Sequence, residues 1–132
     1  MADNKIIDGK LVAETMRKEI AAEVADMIDK GVGAPHLAAV IVGEDGASLT
    51  YVASKEKACH SVGMLSSVYR LSASSSEEEV LNTINFLNND PEIDGYIVQL
   101  PLPKHINETK VIQSISPDKD VDGFHIFLFP YL

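Results

Sequence analysis

The sequence predicts a three-layer α/β fold, a mostly parallel sheet flanked by helices, and three features carry that prediction. Short apolar runs rich in β-branched residues alternate along the chain with stretches of helical periodicity. Glycine, proline or a capping residue marks the changes from one to the other. Strands alternating with helices imply parallel strands joined by right-handed crossovers.

The elements follow in order. Val12, Met16, Ile20, Val24 and Ile28 recur every four residues, with Met27 beside them, and predict a helix over roughly 10–30 that "KGVGAP" ends with glycines and then proline. "LAAVIVG" is a continuous apolar run, as expected of a buried strand ending at Gly43. "GASLTYVASKEKACHSVG", Gly46 to Gly63, predicts the second helix, and the weaker alternation of "MLSSVYRL" the second strand. "SASSSEEEV" supplies a capping box, with Ser76 as N-cap and Glu79 three residues on, before Val80, Leu81, Ile84 and Leu87 on the third helix. "DGYIVQL" reads as the third strand, and the prolines of "PLPKHIN" stop it. Asn107 is placed to cap a short helix carrying Val111, Ile112 and Ile115.

Composition narrows the function. The chain has 132 residues, the length of a single domain with a sizeable core. A formal net charge of -9 argues against nucleic acid as a partner, while leaving room for a local cationic pocket. The single cysteine, Cys59, allows no internal disulfide and suits a reducing compartment; as a small apolar residue it belongs in a core. No apolar run approaches the ~20 residues that span a bilayer, and "MADNKIIDGK" lacks a signal-peptide core. The expected location is the cytoplasm, or an organelle matrix after removal of a targeting segment. His36, His60, His105 and His125 lack metal-ligand spacing, so no metal is expected.

The second helix poses the chemical question. At about 100° per residue, Tyr51, Lys55, Ala58, Cys59 and Val62 project from one side, and Glu56, Lys57, His60 and Ser61 from the other. Lys57 stands where a lysine is expected, whereas Lys55 falls in the apolar stripe. Two readings are open. Either Lys55 snorkels, its stem covered and its ammonium in water, or it is an acid/base lysine tuned by desolvation and a partner. Tyr51, one turn earlier, is within reach of it. Ligands of parallel sheets bind beyond the carboxyl ends of the strands. There the first strand runs out into "GEDGAS" and the Tyr51/Lys55 helix, and the third into "QLPLP". The turn-rich "SPDKDVDGFH" follows, a loop suited to closing the same crevice.

Taken together, "YVASKEKAC", "GYIVQLPLP" and "PDKDVDGFH" resemble the N-terminal folate-binding domain of bifunctional methylenetetrahydrofolate dehydrogenase/methenyltetrahydrofolate cyclohydrolases, over residues 5 to about 125. The resemblance implies catalytic roles for Lys55, as the central residue, and for Tyr51 and Gln99. Gln99 would hydrogen-bond to and orient the lysine, Tyr51 would line the folate pocket and interact with Lys55, Asp122 would bind the polar edge of the pterin, and Ser48, Leu100 and Pro101 would shape the site. It implies a parent enzyme of one-carbon metabolism that serves purine biosynthesis. That enzyme oxidises 5,10-methylenetetrahydrofolate to the methenyl form with NADP and hydrolyses the product to 10-formyltetrahydrofolate. The parent is expected to be a homodimer, with tetrahydrofolate derivatives as ligands and neither nucleic acid nor membrane as a partner.

Two departures accompany the resemblance. The family usually has proline where this chain has Gly46. After "DVDGFH" the family continues into a dinucleotide-binding Rossmann domain, whereas here "IFLFPYL" follows. Residues 1–125 are thus expected to form the catalytic domain and 126–132 an atypical apolar tail. That tail reads either as a C-terminal strand docking on the core or, the preferred reading, as the mark of a truncated, excised or altered chain. With no Gly-rich strand-to-helix turn, no NAD(P) site is expected in this chain. Two rivals stand beside this reading: a fragment of a short-chain dehydrogenase using Tyr51 and Lys55, and a non-catalytic α/β ligand-binding or assembly module.

Overall fold

The computed structural model describes residues 6–123. Its elements are α1 (Gly9–Asp29), β1 (His36–Val42), α2 (Gly46–Ser61), β2 (Leu65–Leu71), α3 (Glu77–Asn89), β3 (Gly95–Val98) and α4 (Glu108–Ser114). The apolar tail expected at 126–132 lies outside the described residues.

The three strands form one parallel sheet in the order β2-β1-β3. The central strand is the most apolar, as a strand covered on both faces must be. Its alternation divides the core in two. Ala38, Val40 and Val42 point to one face, where they meet Val80, Ile84 and Leu87 of α3 and Val111 of α4, with Tyr96 and Val98 of β3. Ala39 and Ile41 point to the other, against Val52 of α2 and Ile97 of β3. The three layers are therefore α2, the sheet, and the α3/α4 pair. Completely burying an aliphatic side chain of this size contributes about 1.5–3 kcal/mol, so residues such as Val40, Ile84 and Leu87, each under 3% exposed, dominate the stability of the sheet.

The caps foreseen in the sequence are formed. Ser76 Oγ accepts the Glu79 N–H at 3.1 Å, and Asn107 Oδ1 accepts that of Lys110 at 3.1 Å. Two expectations about helix faces are corrected. On α1 only Val24 of the predicted stripe is buried; Val12, Met16, Ile20 and Ile28 are 40–55% exposed. Val24 packs where Gly63 leaves room, since a Cβ there would meet its Cγ1 at 3.4 Å. On α2 the buried face is Ser48, Val52 and Cys59, with Val62 just beyond the helix, while Tyr51, Lys55 and Ala58 are exposed. Periodicity located a stripe, but small and polar residues (Ser48, Cys59) blurred its centre. The sheet underneath α2 decided which residues it covers.

Candidate functional site

The site is assembled where β1 and β3 end. Asp45 caps α2, its carboxylate accepting the Ser48 N–H at 2.9 Å, and that bond to Ser48 holds Asp45 below the usual carboxylate range. Ser48 is buried, and its hydroxyl, which also bears on the Asp45 carboxylate, donates to the Leu100 carbonyl at 3.3 Å. The start of α2 is thereby latched to the segment that follows β3. The Leu100–Pro101 peptide in that segment is cis, Leu100 packs against the larger core cluster, and Pro101 is exposed.

Gln99 continues β3 by one residue, its N–H donating to the Val40 carbonyl at 2.9 Å. Its side-chain orientation is fixed by chemistry. Lys55 can only donate, and its Nζ lies 3.0 Å from Gln99 Oε1. The Leu100 carbonyl can only accept, and it takes Gln99 Nε2 at 3.1 Å. A flipped amide would lose both bonds, so the glutamine oxygen must face the lysine. The hydrogen bond of Lys55 thus goes to Gln99 rather than to Tyr51, one turn before it on α2. The Tyr51 ring is 58% exposed and free to meet a flat ligand. The desolvated lysine foreseen as one reading does not hold for this chain, because Lys55 is exposed.

Asp122 completes the group from a third segment. Its side chain is exposed overall, yet partial desolvation of the carboxyl raises its pKa above the ordinary value. The Lys55 charge pulls it back down, and Asp120 adds a smaller upward push. A cation from α2, an amide from the end of β3 and a carboxylate from the 116–123 loop therefore share one edge of the sheet. The arrangement offers a proton-bearing amine, an oriented amide and an acceptor for N–H groups, all open to a ligand.

Sequence reasoning missed several supports. Asp45 carried a signal, since it stands three residues before Ser48 at N-cap spacing. Asn88 and Lys119 carried none, because the loop partners they hold or reach lie 26–32 residues away, and the bond from Tyr96 to Asn88 spans a helix end and a turn at no repeating spacing. Among the described residues, no cluster of three or more His, Cys, Asp or Glu could hold a metal ion, and no helix is long and apolar enough to cross a membrane. A groove of about 780 Å³ opens beyond β1 and β2, between Gly43, Leu49, Arg70 and Ala73. None of the residues singled out above lines it, and the coupled polar groups make the Lys55 edge the better candidate.

Residues 7–122 match the family model of the tetrahydrofolate dehydrogenase/cyclohydrolase catalytic domain. The chain belongs to the tetrahydrofolate dehydrogenase/cyclohydrolase family. It is 56% identical over 120 residues to the bifunctional protein FolD of Bacteroides thetaiotaomicron, covering 91% of this chain and 41% of that protein. With its Porphyromonas gingivalis counterpart the identity is 54% over 121 residues, covering 92% and 41%. Among solved structures, the bifunctional FolD methylenetetrahydrofolate dehydrogenase/cyclohydrolase of Campylobacter jejuni superimposes with a TM-score of 0.90 at 41% identity, over 94% of this chain and 44% of that one. A structure of the Trypanosoma brucei enzyme complexed with NADP cofactor and inhibitor gives 0.84 at 34% identity, over 92% and 41%. This chain thus spans about two-fifths of the length of the bacterial relatives it matches. The family resemblance read from the three sequence motifs holds, as does the three-layer α/β fold.

Proposed function

We propose that this chain is the folate-binding catalytic domain of a methylenetetrahydrofolate dehydrogenase/methenyltetrahydrofolate cyclohydrolase. The observation that carries the reading is the Lys55–Gln99 bond, with Asp122 electrostatically coupled to the same lysine. A pterin is flat and rich in N–H groups and ring nitrogens. Asp122 accepts from its N–H edge, the Tyr51 ring covers a face of the ligand, and Leu100 and Pro101 form the wall opposite. Cyclohydrolysis adds water to a cationic methenyl carbon and must move protons; Lys55, held by Gln99, is the group placed to take and return them. A bound folate supplies the desolvation that the open site lacks. Ser48 keeps its latch to Leu100 and shapes the pocket from below.

In the same reading the dehydrogenase step transfers hydride to NADP, with this domain orienting the methylene carbon. No residues of this chain are assigned to holding the nicotinamide cofactor. Residues 1–125 are the folate domain, the parent is a cytoplasmic homodimer, and its products serve purine synthesis.

The test follows hydrolysis of 5,10-methenyltetrahydrofolate by the purified chain, with tetrahydrofolate binding measured in parallel by calorimetry. Lys55→Met should keep the fold and lower hydrolysis by about 10²–10⁴-fold, whereas Lys57→Met, on the solvated face, should change little. Turnover equal to wild type in folded Lys55→Met would remove the catalytic assignment. With methylenetetrahydrofolate and NADP the chain alone should produce no NADPH.

A further inference from the structure

The loop that carries Asp122 is mounted on the carboxyl end of α3, more than thirty residues earlier in the chain. Lys119 Nζ donates to the Leu87 carbonyl at 2.8 Å and to the Asp90 carbonyl at 2.6 Å. Leu87 lies in the last turn of α3 and Asp90 is its C-cap. Their carbonyls also accept the Asp90 and Ile93 N–H groups at 3.4 and 3.2 Å, and the negative end of the helix attracts a cation there. Asn88, on the same turn, donates through Nδ2 to the Ser114 carbonyl and accepts the Ser116 N–H at 2.9 Å. From this mount the chain returns to the sheet. The Lys119 carbonyl accepts the Tyr96 N–H at 2.9 Å, and Asp120 forms a parallel bridge with Tyr96.

The last three residues leave little freedom. Asp120 Oδ1 accepts the Gly123 N–H at 3.1 Å, closing the turn around Asp122. On the other side, Val121 lies over Gly95; a Cβ there would stand 2.5 Å from Val121 Cγ1 and 3.4 Å from the Lys119 carbonyl. Among the described residues no hydrogen bond fixes the Asp122 carboxylate itself, so its place is inherited from this backbone turn.

We propose that Lys119 is a positioning residue: anchored on the end of α3, it sets where Asp122 stands relative to Lys55. The proposal rests on the folate reading of Asp122, but it can be tested apart from it. Two groups besides Lys119 bear on the readout. The Lys55 charge and the Asp120 carboxylate both act on the Asp122 carboxyl, so moving the turn changes both effects at once.

The experiment titrates the Asp122 carboxyl by carbon-13 NMR and measures tetrahydrofolate affinity by calorimetry. Lys119→Met should displace the Asp122 titration and weaken binding by about tenfold, the scale of one lost polar contact. Lys119→Arg, whose guanidinium can still donate to both carbonyls, should recover most of both. Gly95→Ala should disturb the same two readouts by pushing Val121 and the turn from the opposite side. Lys119→Gln, which keeps one donor pair on the mount, serves if Lys119→Met does not fold. Lys18→Met, on α1, is the control. An unchanged Asp122 titration in folded Lys119→Met, or in Lys119→Gln where that stands in, overturns the proposal, as does normal tetrahydrofolate binding there when Asp122→Ala binds weakly. Normal binding by both Asp122→Ala and Lys119→Met, with the titration displaced, leaves the mount standing and removes the folate role of Asp122.

Discussion

Replacing Asp122 by asparagine should make the protein more stable and worse at binding folate. The carboxyl carries a raised pKa because the surrounding protein partly desolvates it and Asp120 stands near, with Lys55 offsetting only part of this. A carboxyl whose folded pKa is raised is a burden when ionised. The penalty is fully present above the folded pKa and shrinks as the pH falls through it. It is gone below the unfolded value of 3.8. Asp122→Asn removes the charge at nearly constant shape, so its thermal midpoint should exceed that of wild type at neutral pH and match it in acid. Binding should move the other way. The amide cannot accept at both positions from a donor-rich pterin edge, and a lost partner of this kind costs about 1–3 kcal/mol. Because the side chain is exposed, water can meet part of the unmet demand, which puts the loss at about 1–2 kcal/mol, or roughly 5- to 30-fold in Kd. Calorimetry with tetrahydrofolate and thermal denaturation across the pH range read both effects. Equal affinity for wild type and Asp122→Asn would refute the assignment of Asp122 to the ligand. A destabilised asparagine variant at neutral pH would refute the electrostatic argument.

Tyr96 is wholly buried and its hydroxyl donates to Asn88 Oδ1 at 2.6 Å, but that oxygen also accepts the Ser116 N–H. Tyr96→Phe should therefore cost about 1 kcal/mol in urea denaturation, the low end for a lost buried hydrogen bond, and a cost above about 3 kcal/mol would contradict this sharing. Asp45→Ala should lower the thermal midpoint at neutral pH by uncapping α2 and freeing the Ser48 latch. Since the pKa of Asp45 is depressed, its contribution is present above 3.8 and lost as the pH falls through the lower folded value, so the gap between wild type and variant should close in acid. A gap that persists there would point to another cause.

Asp120 shows why neighbours in a motif need not be interchangeable controls. From the sequence, Asp120 and Asp122 are alternate carboxylates of one acidic loop. In the fold Asp120 is buried, bridged to Tyr96 and holding the turn through Gly123, while Asp122 faces out toward Lys55. Removing Asp120 would disturb the whole turn.

The order and type of the elements, the caps at Ser76 and Asn107, and the segments whose ends form the site were all legible in the sequence. These depend on short-range physics: periodicity, β-branched runs, and side chains that reach their own backbone three residues on. It also carried the family, through three motifs whose combination is specific. Tertiary structure alone decided which face of α2 is covered and that Lys55 is open to water, because both depend on what the sheet places beneath the helix. It gave the pairing of Gln99 with Lys55, which the resemblance had implied, its geometry across 44 residues, and it alone seated Lys119 on the end of α3. Such contacts leave no periodic trace in the chain, since each partner's spacing is set by the intervening helices and strands and not by its own neighbours.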